Sequence, residues 1–308
     1  MEASFGVRIL HGVLNVALVL VLAPLFEGIL RKVTARVQSR QGPPVWQPYF
    51  DLLKLLGKED LETGESPGVQ RLAAWLSLAA ILSVSLLVPM GGASPLSPAG
   101  DAYLLIYMLT FCGITTMLAG LAAGSTYSVV GMSREMMAVM TLEPLLAVAV
   151  IIGVVRVGSL RLDEVLNGSP YAHAKLPLAG LIMLAVSVLA LQAFIGRLPF
   201  DITEAETELM EGPLMEYSGP KLALFKFTRM AKVVVYGSLL VALFAPWGSG
   251  LPAPVNLLAL LAKLLVLVLA VTLVAATHAR YRIDQAIRYY LGLLGASFAA
   301  LVLALAGY

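Results

Sequence analysis

A single cysteine and three histidines in 308 residues leave the chain almost without soft metal ligands. Cys112 lies inside an apolar run, which excludes an internal disulfide and four-cysteine iron–sulfur or zinc ligation. His11, His173 and His278 are far apart, with no metal-type spacing. No metal, redox centre or other cofactor is therefore expected in this chain itself. Charge is scarce as well: 13% of residues are charged, against about 25% in a soluble domain. A net charge of +2 carries no polyanion-binding signal, so nucleic acid is not an expected partner. There is no P-loop, dinucleotide fingerprint or serine-nucleophile elbow. Nor is there an internal repeat of the kind that builds a two-halved transporter.

What the chain has in excess is apolar surface. Hydrophobic residues make up 59% of it, and the mean hydropathy is +0.87. A globule of this composition could not cover itself with polar groups, so a soluble enzyme is excluded and lipid is the expected solvent. A helix needs about 20 apolar residues to cross the hydrocarbon core. That window finds eight runs, at 7–30, 72–90, 102–123, 136–157, 176–196, 222–245, 255–277 and 286–307. None alternates with period two, which excludes a barrel. The expected fold class is an all-α integral membrane protein, a bundle of about eight transmembrane helices forming one membrane domain over 1–308. The first run is too long for a signal-peptide core and lacks a small-residue cleavage site before Glu27, so it is expected to be mature structure.

Lys and Arg crowd the odd-numbered connections, whereas the even-numbered ones carry only Arg156, Arg161 and Lys175. The positive-inside rule then puts the odd loops in the cytoplasm of a multi-pass cell-membrane protein and both termini outside. Two of those cytoplasmic loops, at about 31–71 and 197–221, are long and polar, and function is expected there. The first passes through Arg36, Gln38, Arg40, Gly42 and Pro43, where Gly-Pro-Pro stops a helix. It continues into a short amphipathic helix bearing Asp51, Lys54 and Lys58, with Tyr49, Leu52, Leu53 and Leu56 on one side, suited to the membrane surface or to docking a cytoplasmic partner.

The second loop holds Asp201, Glu204, Glu206, Glu208, Glu211 and Glu216 with no basic residue among them. Thr203 and Glu206 have capping-box spacing, so a helix is expected to start there and to bring Asp201, Glu204, Glu208 and Glu211 near one face. Like charges so placed need protons or a basic partner. Close, partly desolvated carboxylates raise one another's pKa, which suits holding and relaying protons. Lys226, Arg229 and Lys232 follow as candidate counter-charges.

Ionisable groups inside spans are candidates by default. Glu143 lies eight residues beyond Glu135, about 12 Å along the helix axis, and Pro144 after it disturbs the backbone ladder. It is the expected buried member of a proton path. Lys263 sits mid-span with no other charge between 255 and 277, fit for a pathway or an ion pair. Glu27 is expected to snorkel from the end of the first span. Gly120 and Gly124 have small-xxx-small spacing for close helix packing.

Two stretches resemble a known family. Arg36-Val37-Gln38-Ser39-Arg40-Gln41-Gly42-Pro43, then Gln47-Pro48, Asp51, Lys54 and Lys58-Glu59, is similar to its first cytoplasmic loop. Arg197-Leu198-Pro199-Phe200-Asp201, Glu204-Ala205-Glu206-Thr207-Glu208 and Glu211-Gly212 through Glu216-Tyr217-Ser218-Gly219 resemble its second signature. This is the membrane subunit shared by respiratory complex I and the membrane-bound [NiFe]-hydrogenases, and the wording of the first loop is closer to the hydrogenase branch. The resemblance implies a non-catalytic anchor and coupling subunit of an ion-translocating redox complex, linked to ferredoxin or formate. Its partners would be iron–sulfur and hydrogenase-like peripheral subunits, antiporter-like membrane subunits and the lipid bilayer. The cofactors, iron–sulfur clusters and in that branch a [NiFe] centre, would reside in the partners. The loop-two acids and Glu143 would form the coupling path, with the first loop docking the peripheral arm. The same subunit in a sulfane-sulfur reductase or a quinone-reducing complex I is an alternative within the family. An autonomous secondary transporter or proton channel is the alternative from another class.

Overall fold

The computed structural model describes residues 5–61, 66–92, 94–96, 99–172, 176–248 and 251–307. His173 and Lys175 lie outside the described residues. Among those described, eleven helices follow in chain order: α1 (Phe5–Val37), α2 (Gln47–Leu56), α3 (Pro67–Leu87), α4 (Ala102–Ala123), α5 (Thr126–Val157), α6 (Leu162–Val165), α7 (Leu178–Phe194), α8 (Glu206–Leu209), α9 (Gly219–Phe244), α10 (Ala253–Thr277) and α11 (Ile283–Leu305). Single 3₁₀ turns occupy Ser169–Tyr171 and Gly212–Leu214. No strand occurs among the described residues. The protein is an all-α integral membrane protein.

Each of the eight apolar runs is a helix. Seven are long and apolar enough to cross a membrane, and α7, at 17 residues, is shorter. The largest departure is α5, which starts ten residues before the expected 136. Its first three turns are too polar to register as lipid-soluble. Gly124, left-handed at φ +70°, ends α4, and the Ser125 hydroxyl at once accepts from the Ser128 amide at 3.2 Å to start α5. Gly124 is thus a helix cap with open space beside it, and not the packing residue that its spacing suggests.

Burial is set by position in the bundle. α9 is central, with 78% of its apolar span buried against α1, α2, α3, α7 and α10, whereas α10 and α11 bury 28% of theirs. The outer faces of α1, α10 and α11 expose Val13, Leu258 and Val302, as lipid contact requires.

One seam needs missing side chains. A Cβ on Gly131 of α5 would stand 2.7 Å from Pro213 Cδ and 2.9 Å from Gly212 Cα, and one on Gly120 of α4 would stand 3.2 Å from Pro213 Cβ. The Gly212–Pro213 turn is therefore wedged directly onto the α4–α5 pair. Gly131→Val is expected to cost about 1–3 kcal/mol through overpacking. A thermal melt of the detergent-solubilised protein checks this, and an unchanged midpoint would mean the seam relaxes freely.

Candidate functional site

The first loop is pinned to α1 from two sides. A Cβ on Gly28 would strike the backbone of Val45, and one on Gly42 would stand 2.8 Å from Ala35 Cβ, so the Gly-Pro-Pro turn folds back against the helix it has just left. The Tyr49 hydroxyl donates to the Val21 carbonyl. Within α2, Asp51 accepts from Gln47 at 3.1 Å and from Arg31 of α1 at 2.8 Å. Burial alone would raise the Asp51 carboxyl, but the Gln47 and Arg31 hydrogen bonds and the charges of Arg31 and Lys54 bring it below the ordinary aspartate range.

Arg31 also donates to Glu27 at 3.1 Å, and the second oxygen of Glu27 is held by Arg197 from the other loop. Glu27 is 3% exposed. The expected snorkelling is therefore corrected: Glu27 is buried at the junction of the two loops, because two guanidiniums meet it there. The i, i+4 spacing of Glu27 and Arg31 inside an apolar helix is the signal the sequence offers; Arg197, 170 residues away, offers none. The two loops meet again where the Leu61 amide donates to the Ser218 hydroxyl at 3.1 Å and Lys221 lies 3.3 Å from Asp60.

The acidic loop differs from its sequence expectation. The expected capping box at Thr203 is absent: the helix starts only after Ala205, with no side-chain cap, and lasts four residues. The chain then turns through three consecutive left-handed residues, Met210, Glu211 and Gly212. Nor do Asp201, Glu204, Glu208 and Glu211 share one helical face. Their counter-charges come from α9, from α5 and from the segment before α11. Asp201 accepts from Arg229 at 3.3 Å and Arg280 at 3.2 Å, and Glu204 from Arg229. Glu208 pairs with Arg134 at 2.7 Å, and Glu211 with Lys226 at 3.5 Å. These cations pull residues 201–204 inward, which a helix begun at Thr203 would not permit. Burial pushes the Asp201 carboxyl above the ordinary aspartate range, and neighbouring Glu204 adds to the push against the pull of Arg229 and Arg280. Glu216 is partly buried beside Tyr217, whose hydroxyl donates to the Ala119 carbonyl at 2.9 Å. The side chain of Glu206 lies outside the described residues.

Behind this loop lies a cavity of about 110 Å³. Glu204 and Arg229 line its loop end, and Glu135, Glu143, Lys232 and Tyr236 line the part between α5 and α9. Glu135 accepts from the Thr116 hydroxyl of α4 at 3.3 Å, and the Thr110 side chain, whose hydroxyl donates to the Ile106 carbonyl at 3.0 Å, lies beside Glu143. The structure thus brings Glu143 and Glu204 to one polar space. Glu135, eight residues before Glu143 on α5, completes it; in the sequence it lies near an expected span end, a position that gives no sign of this role.

Of the first-loop residues, Arg36, Gln38, Arg40, Pro43, Lys54 and Lys58 are exposed, whereas Gly42 and Asp51 face the protein. Lys263 lies apart from all of these. Its amine donates to the carbonyls of Ala245, at 2.6 Å, and Trp247, so it caps the far end of α9. Lys263→Met is expected to lower the thermal midpoint through a loss of about 1–2 kcal/mol and to leave ion translocation unchanged. A translocation defect without a stability loss would return Lys263 to the path. Among the described residues, no group of three or more His, Cys, Asp or Glu is placed to hold a metal.

The NADH dehydrogenase family model matches residues 10–305. The chain belongs to that family. It is 35% identical over 270 residues to hydrogenase-4 component C of Escherichia coli K12, covering 87% of this chain and 85% of that one. It is 33% identical to formate hydrogenlyase subunit 4 of the same organism, covering 97% and 99%. Among solved structures, a chain of the membrane-bound sulfane sulfur reductase, an archaeal respiratory membrane complex, superposes with a TM-score of 0.86 at 25% identity, covering 96% and 99%. As a member of this family the chain is a multi-pass membrane subunit on the hydrogenase-type side, in agreement with the wording of its first loop.

Proposed function

We propose that this chain is the membrane-anchor and coupling subunit of an ion-translocating, membrane-bound [NiFe]-hydrogenase complex, linked to ferredoxin or formate. The observation that carries the reading is likeness along nearly the whole chain to formate hydrogenlyase subunit 4. The exposed first-loop residues Arg36, Gln38, Arg40, Pro43, Lys54 and Lys58 receive the peripheral arm, with Gly42 and Asp51 fixing the loop's shape. Iron–sulfur and hydrogenase-like subunits there hold the metal centres, and antiporter-like subunits lie beside the bundle. The odd loops face the cytoplasm and both termini face out, by the distribution of Lys and Arg.

The coupling path runs from the second loop into the bundle. Asp201, Glu204, Glu206, Glu208, Glu211 and Glu216 sense the charge state of the docked arm. Glu204 passes the change into the cavity, and Glu143 is its deepest acid. Lys263 stands outside this route. The high likeness to the sulfane sulfur reductase chain favours one second reading, the same subunit with a sulfur-reducing arm. Gentle purification through a tag on this chain, with mass spectrometry and metal analysis, separates the readings. Nickel and iron with a hydrogenase-like large subunit are expected. Iron without nickel would move the assignment to the sulfur-reducing arm. A single metal-free chain would sink the complex and favour an autonomous transporter.

A further inference from the structure

Three cations line the cavity behind the acidic loop: Arg134, Arg229 and Lys232. Two of them are committed. Arg134 holds Glu208 at 2.7 Å and the Ile202 carbonyl at 3.3 Å, and Arg229 holds Glu204, Asp201 and the Gly196 carbonyl. Lys232 has no carboxylate within 4.0 Å among the described residues. Of the three lining acids, Glu204 is bound to Arg229, which leaves Glu135 and Glu143 without an ion pair among the described residues. The uncommitted charges are therefore one ammonium and two carboxylates, partly buried around one cavity. They act on one another: Glu143 feels Glu135 and Lys232, and Lys232 feels Cys112 first, then Glu135 and Glu204, with Arg229 opposing. The remaining ring of the cavity near them, Thr116, Tyr236 and Tyr290, is neutral.

Two carboxylates and one ammonium in a low-dielectric cavity leave one negative charge uncompensated, and a single proton removes it. We infer that Lys232 is a swinging counter-charge that pairs with Glu135 or with Glu143, so that the proton resides on the other acid. The cavity's volume of about 110 Å³ admits several waters, enough to bridge the acids. When the ammonium is on Glu135, Glu143 carries the proton. When it swings to Glu143, that acid releases its proton to the far side, and Glu135 takes one up from the Glu204 side. One proton enters as one leaves, and the cavity stays neutral. The four-carbon stem of lysine permits the swing, whereas a planar arginine fork would lock on one partner. Lys232 is a positioning residue here, acting through the two acids, and this role rests on the proposed coupling path.

The test compares Lys232→Met, Lys232→Arg and Glu143→Gln in the intact complex, in sealed vesicles, reading electron transfer and ion translocation together. Lys232→Met and Glu143→Gln are each expected to lose about a hundred-fold or more in translocation, with Lys232→Arg also impaired although it keeps the charge. The infrared spectrum of purified Lys232→Met should gain one protonated carboxyl over the wild type, and that gain should vanish in Lys232→Met/Glu143→Gln. If Glu143→Gln fails to translocate while Lys232→Met translocates normally with no new carboxyl band, the path stands and the swinging counter-charge is wrong. Full translocation by Lys232→Arg would reduce Lys232 to a fixed charge. If Glu143→Gln translocates normally, the path itself falls, and the inference with it.

Discussion

Replacing Glu27 with alanine is expected to destabilise the protein by about 2–4 kcal/mol, because it removes a buried carboxylate and leaves the partly buried Arg197 guanidinium without its partner. Glu27 is 3% exposed and joins Arg31, on its own helix, to Arg197, at the head of the acidic loop. Arg31 keeps Asp51 after the substitution. Arg197 then has no carboxylate within 4.0 Å among the described residues, so the cost falls on the junction between the two long polar loops. The double variant Glu27→Ala/Arg197→Met removes both charges and should recover a large part of the loss, since breaking a buried pair costs far more than replacing it with apolar groups. Thermal unfolding of the detergent-solubilised protein reads both. Equal losses in the single and double variants would show that the stranded charge is not the cause. A loss below about 1 kcal/mol, the range of an exposed pair, would place Glu27 in contact with water after all.

That pair also shows where sequence reading reaches and where it stops. Eight apolar runs are legible because lipid demands about 20 apolar residues in succession, and each run is a helix. The short helix after Gly42-Pro43-Pro44 is legible for a local reason as well: proline stops one helix and permits the first turn of the next. Its orientation is not. Leu52 is partly buried, whereas Phe50, Leu53 and Leu56 are exposed, so the side turned to the protein is chosen by Asp51 reaching Arg31. The acidic loop fails in the same way. Thr203 and Glu206 satisfy a local capping rule, but Arg229 and Arg280, which are 25 or more residues distant from Glu204 and Asp201, decide the backbone path. Lys263 is ambiguous for the same reason: the partners of its amine are backbone carbonyls beyond the end of α9, which have no signature in the sequence. Of the counter-charges singled out after the acidic loop, Lys226 and Arg229 do pair with it, and Lys232 instead faces the cavity.

Arg229 is the residue on which loop and cavity depend together, and Arg229→Leu is expected to have the largest effect on coupling. It removes the partner of Glu204 and one of two partners of Asp201, and frees the Gly196 carbonyl. The cost is expected at about 2–3 kcal/mol, that of losing charged hydrogen bonds in a partly buried cluster, concentrated in residues 196–204 and not in the helices. Its pH dependence has a definite sign. The Asp201 carboxyl already lies above the ordinary aspartate value of 3.8 because of burial and Glu204. Loss of Arg229 removes a charge that favours the ionised form, so the folded state binds that proton more tightly still. A group whose folded pKa is raised adds stability below its unfolded value and loses it as pH rises through the folded value. The variant should therefore approach wild-type stability as pH falls towards 3.8, and the gap should widen above it. Thermal melts of both proteins across a pH series measure that gap. A gap that stays constant across the series would show that Arg280 alone governs Asp201, and one that closes as pH rises would reverse the sign. On the proposed reading, electron transfer in the variant should persist while translocation falls, because docking would rest on the first loop whereas Glu204 would lose its fixed position beside the cavity. Equal loss of both activities would mean that Arg229 holds the arm and does not govern the path.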